Sequence, residues 1–527
     1  MKKILALVAL VVAASPLAFG QTTQSQSGQA ATSGLQSGSA EQEVLKVSKE
    51  YAVSKPPTAQ WPGFRGPNSS GVAATDKPPI RFGPSSKLLW KRALPSGHSS
   101  PIIWDDHIFL TGVEGEKLVV IAVRRRDGEL LWKQTVSAGK IETVHPFSSP
   151  AASTPATDGR RVYAYFGSFG LLAYDFNGKE VWRRPLPLPP TQYGTATSPI
   201  IFDGKVILQR DGNSTDSELL AVDATTGAVA WKTARPLLRE SWSTPVVWGQ
   251  DGQDEIITVG NGRLVAYSAR DGVERWWAGG LTFQPITVAV AGAGLLFAST
   301  SGTGGGPGDS IELPKWDALI ANHDTNKDGR LAPTEVPDDL GIILRKELPK
   351  GTPGNFLPIR NLVNMLDGDK DKLLSKAEWE GGEAFVAANE DTVVAVRPGG
   401  RGDITRSHVA WKAKRGVSEM PSPIFYRGRL YFIRNGGMVT SYAPETGQII
   451  LDRQRLGALG QYVASPVAAD GRIYAACETG TVVVFQAGDT LEVLARNELG
   501  ESILATPAIA ENKLYIRTDK HLWSFGD

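Results

Sequence analysis

The sequence predicts an all-β protein, an eight-bladed β-propeller with an α-helical pair inserted into its fifth blade. Three observations carry this: a hydroxyl residue followed by proline recurs about every 45 residues, each interval holds four short apolar runs, and one interval is stretched by roughly 90 residues. Composition agrees. Of 527 residues, 57 are glycine and 34 proline, which favours many turns and therefore many short strands. The 56 basic and 55 acidic side chains leave a net charge of +1, so no global field draws the chain to nucleic acid or an anionic membrane. A single cysteine, Cys477, excludes an intrachain disulfide, a multi-thiolate zinc site and a Cys-x-x-Cys redox pair; within its apolar run it reads as a small buried hydrophobe.

From the N-terminus, Lys2 and Lys3 precede the apolar stretch Ile4 to Ala14 and the small residues Ala18 and Gly20. This is the pattern of a signal peptide over residues 1–20, too short to span a bilayer. Gln21 stands where a lipoprotein would carry cysteine, so the expected product is exported, periplasmic or extracellular, without a lipid anchor or membrane span. Residues 21–60, rich in Gln, Ser, Thr, Ala and Gly, cannot bury enough apolar surface to offset their ordering entropy and read as a flexible leader. The propeller is expected over 61–527.

The repeat marks are Ser100-Pro101, Thr154-Pro155, Ser198-Pro199, Thr244-Pro245, Ser422-Pro423, Ser465-Pro466 and Thr506-Pro507, with Gln284-Pro285 as a weaker eighth member. Within one unit, Ile200 to Phe202, Val206 to Leu208, Leu219 to Val222 and Val229 to Trp231 are separated by the turns Asp203-Gly204 and Thr226-Gly227, a four-stranded meander. The last run ends on an anchor at Trp90, Trp132, Trp182, Trp231, Trp276, Trp411, Leu451 or Leu494. Those side chains read as packing between blades. The final unit has room for three strands, while Lys87 to Trp90 precedes the first mark. The N-terminal strand is therefore expected to complete the last blade.

The Ser/Thr-Pro start, Asp-Gly turn and Thr-Gly-x-x-x-Trp ending resemble the repeat of pyrroloquinoline-quinone-like (PQQ-like) propellers. That family includes quinoprotein dehydrogenases and a non-enzymatic propeller of the outer-membrane assembly machinery, so the resemblance implies a fold without choosing a function. Quinoprotein alcohol dehydrogenases hold their cofactor against a vicinal disulfide and bind Ca²⁺ in the funnel through Glu, Asn and Asp; one cysteine makes that disulfide impossible here.

The insertion, expected over 303–383, carries the sharpest chemistry. After helical spacing at Trp316, Leu319 and Ile320, the twelve residues from Asp324 to Glu335 place oxygen ligands at the EF-hand positions: Asp324, Asn326 and Asp328, the Arg330 carbonyl, Ala332 through water, and Glu335. Gly329 supplies the turn at position 6. A second loop, after Ile359, Leu362, Val363 and Leu366, offers Asp367, Asp369, Asp371, the Leu373 carbonyl, Ser375 and Glu378, with Lys372 in place of the glycine. Lys372 is expected in the left-handed region at a cost of about 1 kcal/mol. Leu331 and Leu374, at position 8, are the apolar pair expected to join the loops. The expected cofactor is Ca²⁺, at one or two sites.

Residues just before each inner strand should ring the channel mouth: His98, His145, Tyr193, Trp242, Gln284, Glu419 and Tyr462. They offer one acid, Glu419, and no catalytic motif, so catalytic residues stay unassigned. The expected function is an exported calcium-binding scaffold that takes an unidentified protein or small polar ligand at the mouth. The alternative is a periplasmic PQQ-dependent dehydrogenase oxidising an alcohol or sugar.

Overall fold

The structure, a computed structural model, describes residues 60–527 apart from 251–252, 303, 308–309, 349–350 and 353–354. The signal peptide assigned to 1–20 and the leader assigned to 21–60 lie outside the described residues, except for Gln60. Two compact units emerge: Pro314–Gly341 with Leu357–Phe385, and a larger one that includes Ile342–Phe356.

The larger unit is a propeller of eight sheets, each of four or five strands. Blade 3 shows how the sequence builds one. Its strands Ile200–Phe202, Lys205–Arg210, Glu218–Asp223 and Val229–Ala234 are antiparallel neighbours, with Ile207 opposite Ala221 and Ala221 opposite Trp231. The two middle strands are covered by blades on both faces, so Val206 to Leu208 and Leu219 to Val222 are continuously apolar and buried. The outer strand has a wet face and alternates, turning Trp231 inward.

Five of the outer tryptophans dock on the turn of the following blade, while Trp276 donates its indole N–H to Glu255 of its own blade at 2.9 Å. Trp182 donates its indole N–H to the Ala224 carbonyl at 3.0 Å, and a Cβ on Gly227, which has φ +71°, would lie 2.7 Å from the Trp182 ring. Trp90 meets Gly128, Trp132 meets Gly178, Trp231 meets Gly272 and Trp411 meets Gly447 in the same way. These five tryptophans are therefore packing between blades.

The ring closes as expected. Leu88–Ala93 pairs antiparallel with His521–Phe525, completing the sheet of Ala508–Ala510 and Lys513–Arg517. The marks themselves form a second belt. The N–H of Ser100 donates to the Thr154 hydroxyl, Thr154 to Ser198, and Ser198 to Thr244, at 2.9 to 3.1 Å. Val288 donates to Ser422, Ser422 to Ser465, Ser465 to Thr506, and Thr506 back to Ser100, at 3.0 to 3.1 Å.

This belt corrects one assignment. In blade 5 the position of the hydroxyl-proline mark is held by Val288-Ala289, directly before the inner strand Val290–Gly292, and not by Gln284-Pro285. A proline four residues upstream of a mark that has lost both its hydroxyl and its proline produced the misreading. The chain leaves blade 5 after Leu295–Thr300 and rejoins it at Thr392–Val396, with Thr300 opposite Thr392.

Before the first blade, Trp61 is buried and pairs with Ile103, the Pro62 carbonyl accepts from Thr157, and Val72–Ala73 adds parallel to Ala468–Ala469. Arg65, fully buried, donates to the Pro423 carbonyl at 2.7 Å, and burial lowers its guanidinium to about 9. Cys477 is buried too, and burial pushes its thiol up. Among the described residues, no helix is long and apolar enough to cross a membrane.

In the smaller unit, α1 (Trp316–His323) leads into the first acidic loop, while α2 (Ile359–Leu366) and α3 (Lys376–Ala388) flank the second. Among the described residues, no helix directly follows the first loop. Pro333 and Pro337 bracket its end, and Pro337 lacks the N–H a continuing helix needs.

Candidate metal centre and channel mouth

The two acidic loops share one hydrogen-bond skeleton. The position 1 carboxylate accepts from the position 6 N–H: Asp324 from Gly329 at 2.9 Å and Asp367 from Lys372 at 3.0 Å. The position 5 carboxylate accepts from position 7, Asp328 from Arg330 and Asp371 from Leu373, both at 2.8 Å. The position 12 carboxylate reaches back to position 9, Glu335 to the Ala332 N–H at 2.9 Å and Glu378 to the Ser375 N–H at 2.8 Å. Leu331 and Leu374, both fully buried, exchange backbone hydrogen bonds at 3.0 and 2.9 Å, which couples the loops. Gly329 and Lys372 both lie in the left-handed region, at φ +78° and +68°.

In the second loop, oxygens of Asp367, Asp369 and Asp371 all lie within 4.8 Å of one another. Asp367 Oδ1 is buried and has no hydrogen-bond donor. An orphaned carboxylate oxygen in a cluster of hard oxygen donors is the environment a divalent cation satisfies. The Arg330 side chain pairs with Asp371 across the loops. The Glu335 carboxyl is held below the usual range chiefly by the Ala332 N–H.

At the mouth, His145 and Tyr193 meet edge to face at 5.5 Å, and Tyr193 tilts over Trp242 at the same separation. Trp242 donates to the Gly194 carbonyl at 2.6 Å. Gln284 lies close by, donating to Glu240 at 3.1 Å. Glu419 is felt electrostatically by both His145 and Tyr193. Burial lowers the imidazoles of His98, to about 4, and of His145. Tyr462 points into the core, its hydroxyl donating to the Ala458 carbonyl at 3.1 Å, while its N–H donates to Asn435.

Sequence reasoning found one acid here; the structure adds others. Glu142 is buried and accepts from the Thr195 N–H and hydroxyl at 2.8 and 2.7 Å, and burial pushes its carboxyl to about 7. Glu240 joins Gln284. The larger addition is the segment Ile342–Phe356. Its Arg345 makes a two-pronged ion pair with Glu419, the Nε contact at 3.0 Å, and Asn435 donates to the same carboxylate at 3.3 Å. Burial alone would raise the Glu419 carboxyl, but Arg345, with Arg434 and His145, outweighs it and holds it low. Two residues on, Glu347 accepts from Arg434 at 3.2 Å, and Arg434 lies 3.9 Å from Asp391. The one hint in the sequence is the apolar run Ile342 to Leu344, out of helical phase between the two loops.

Fold and mouth together define a class, a propeller of PQQ-like repeats closed by its own N-terminal strand. The chain belongs to the family described as "Outer membrane protein assembly factor BamB" (PQQ_2), whose family model matches residues 82–213, 116–301 and 370–526, well over half of the sequence. No curated protein matches it. Among solved structures, the quinohemoprotein alcohol dehydrogenase of Comamonas testosteroni is similar at 13% identity and a TM-score of 0.52, covering 89% of this chain and 81% of that one. The computationally designed Ika8 protein is similar at 10% identity and a TM-score of 0.51, covering 84% and 100%. BamB from Moraxella catarrhalis matches at 12% identity and a TM-score of 0.48, over 83% and 98%. Identities at this level show the fold alone.

Proposed function

We propose that the protein is an exported, calcium-binding propeller that serves as a non-catalytic binding or assembly scaffold. The calcium reading rests on a single observation above the others, the orphaned Asp367 Oδ1 within the Asp367, Asp369 and Asp371 cluster. The repeated skeleton in the loop from Asp324 to Glu335 extends it to a second ion. Asp324, Asn326, Asp328, Glu335 and the Arg330 carbonyl would hold the first, and Asp367, Asp369, Asp371, Glu378 and the Leu373 carbonyl the second. Titration calorimetry with Ca²⁺ tests this: the wild type releases binding heat that Glu335→Gln with Glu378→Gln loses. An unchanged heat signature in the double variant rejects the sites.

The scaffold reading draws support from the mouth. Glu419, the acid the sequence places there, is engaged by Arg345, and the only cysteine is buried. With Glu419 so engaged, PQQ is possible but not favoured here. Incubation with PQQ and Ca²⁺, followed by alcohols or sugars and an electron-accepting dye, is expected to give no dye reduction; substrate-dependent reduction would overturn the reading. Export rests on residues 1–20, and predicts a mature N-terminus at Gln21, read by mass spectrometry of the exported protein.

A further inference from the structure

The chain supplies its own occupant for the mouth. Arg345 and Glu347, within a segment that belongs to the propeller unit, present two opposite charges, two residues apart, to two complementary receptors. Arg345 meets Glu419 and Asn435, and Glu347 meets Arg434. The backbone of the segment is held as well. Asn355 accepts from the Arg345 N–H at 2.7 Å and donates to its carbonyl at 2.9 Å, so the arginine is presented from a braced hairpin. The Glu347 carbonyl accepts from Arg455 at 3.3 Å. It also lies 2.7 Å from where a Cβ on Gly436 would stand, so only glycine allows this approach.

This is how a peptide is recognised: a planar carboxylate for a guanidinium, a cation for a carboxylate, and a side-chain donor, Arg455, for the backbone carbonyl. It is a poor way to seal a channel permanently. Taking charges out of water costs about as much as their pairing returns, so a seat made of ion pairs is specific without being strong. The Arg345 and Glu419 side chains keep 18% and 27% of their exposure, which leaves a competitor a route in.

We propose that the propeller mouth is a peptide-recognition site for a partner segment carrying arginine and, two residues on, an acidic side chain, with Arg345 and Glu347 as its built-in occupant. This deepens the scaffold reading and rests on it. A partner peptide displaces the hairpin by matching its two charges, and Glu419 sets the preference for arginine over lysine because only a guanidinium satisfies both carboxylate oxygens.

The probe is a fluorescein-labelled synthetic peptide with the sequence of residues 341–348. In anisotropy titrations, full-length protein carrying Arg345→Ala and Glu347→Ala, whose own segment is disarmed, is expected to bind it at least tenfold more tightly than the wild type. A peptide with alanine in place of its arginine, or Glu419→Gln added to the disarmed protein, should each lose at least tenfold. Equal binding of the arginine and alanine peptides, or no binding by a disarmed protein with a normal thermal transition, overturns the proposal. In case a variant folds poorly, the wild type alone gives an independent reading. Saturating peptide should accelerate hydrogen exchange of the amides in 342–348, and the alanine peptide should not; unchanged exchange counts against the site. Absence of peptide binding without PQQ-dependent dye reduction removes this inference alone, whereas dye reduction removes the scaffold reading itself.

Discussion

The backbone N–H of Thr506 donates to the hydroxyl of Ser100 at 3.1 Å, joining two residues 406 positions apart. The bond is chemically the same as the one from Ser465 to Thr506 within the chain's last third. The two ends of the ring are thus joined twice, once by the strand Leu88–Ala93 and once by this belt, which is interrupted between Thr244 and Val288.

Ser100→Ala is expected to destabilise the protein by about 1–3 kcal/mol, because it leaves a buried N–H without an acceptor. Ser465→Ala removes the same kind of acceptor and should cost a similar amount. Denaturant midpoints measure both, and a loss well under about 0.5 kcal/mol for either would show that the belt is incidental.

Gly227→Ala should cost about 2–4 kcal/mol, combining a left-handed backbone with a Cβ pressed against the Trp182 ring. Gly204 has φ +68° and open space around its Cβ, so Gly204→Ala carries only the conformational part, about 1–2 kcal/mol. Thermal unfolding of the pair separates the docking contact from backbone strain. Equal losses would mean that the tryptophan accommodates the methyl group.

Glu142 gives a pH dependence of defined sign. Burial raises its carboxyl to about 7 in the folded state, from 4.5, against the opposing pull of the Thr195 bonds. Between those values the folded protein holds a proton that the unfolded chain has released, so this group makes stability fall as pH rises from about 4.5 to 7. Glu142→Gln keeps the shape and removes the titration. The variant is expected to lose less stability than the wild type across that window and to equal or exceed it at pH 8. Parallel curves from pH 4 to 8 would refute the assignment.

Lys372→Gly relieves a left-handed lysine at position 6 of the second loop, where the first loop has Gly329. Calorimetry should show Ca²⁺ binding to the second loop tightening several-fold, in line with about 1 kcal/mol of backbone strain removed. No change, or weaker binding, would place the limit on that loop elsewhere.

Much of this fold was legible because a repeat writes the same contact many times. Serine or threonine before proline recurs because the blades other than the fifth offer their neighbours an acceptor there, and glycine recurs in the turn because a tryptophan stacks where a Cβ would stand. The reading slipped at Gln284 because one copy, Val288-Ala289, had lost its marks. The hydrogen-bond skeleton of the acidic loops is local: it joins positions 1 and 6, 5 and 7, and 9 and 12, and needs no distant partner.

The mouth was legible only in outline. His145, Tyr193 and Trp242, which the repeat picks out, do meet ring to ring, but Tyr462 turns inward to Ala458, and Glu142 and Glu240 carry no local mark. Nothing near Glu419 announces a partner.

By itself the sequence determined the number of blades, the closure of the ring by its first strand and the spacing of the acidic loops, all of which repeat or lie within a dozen residues. Only the tertiary structure decided what faces the mouth. Arg345 reaches Glu419 across 74 residues and Glu347 reaches Arg434 across 87. Such pairing depends on distance through space and on exclusion of water, and neither quantity is written in the order of residues along a chain.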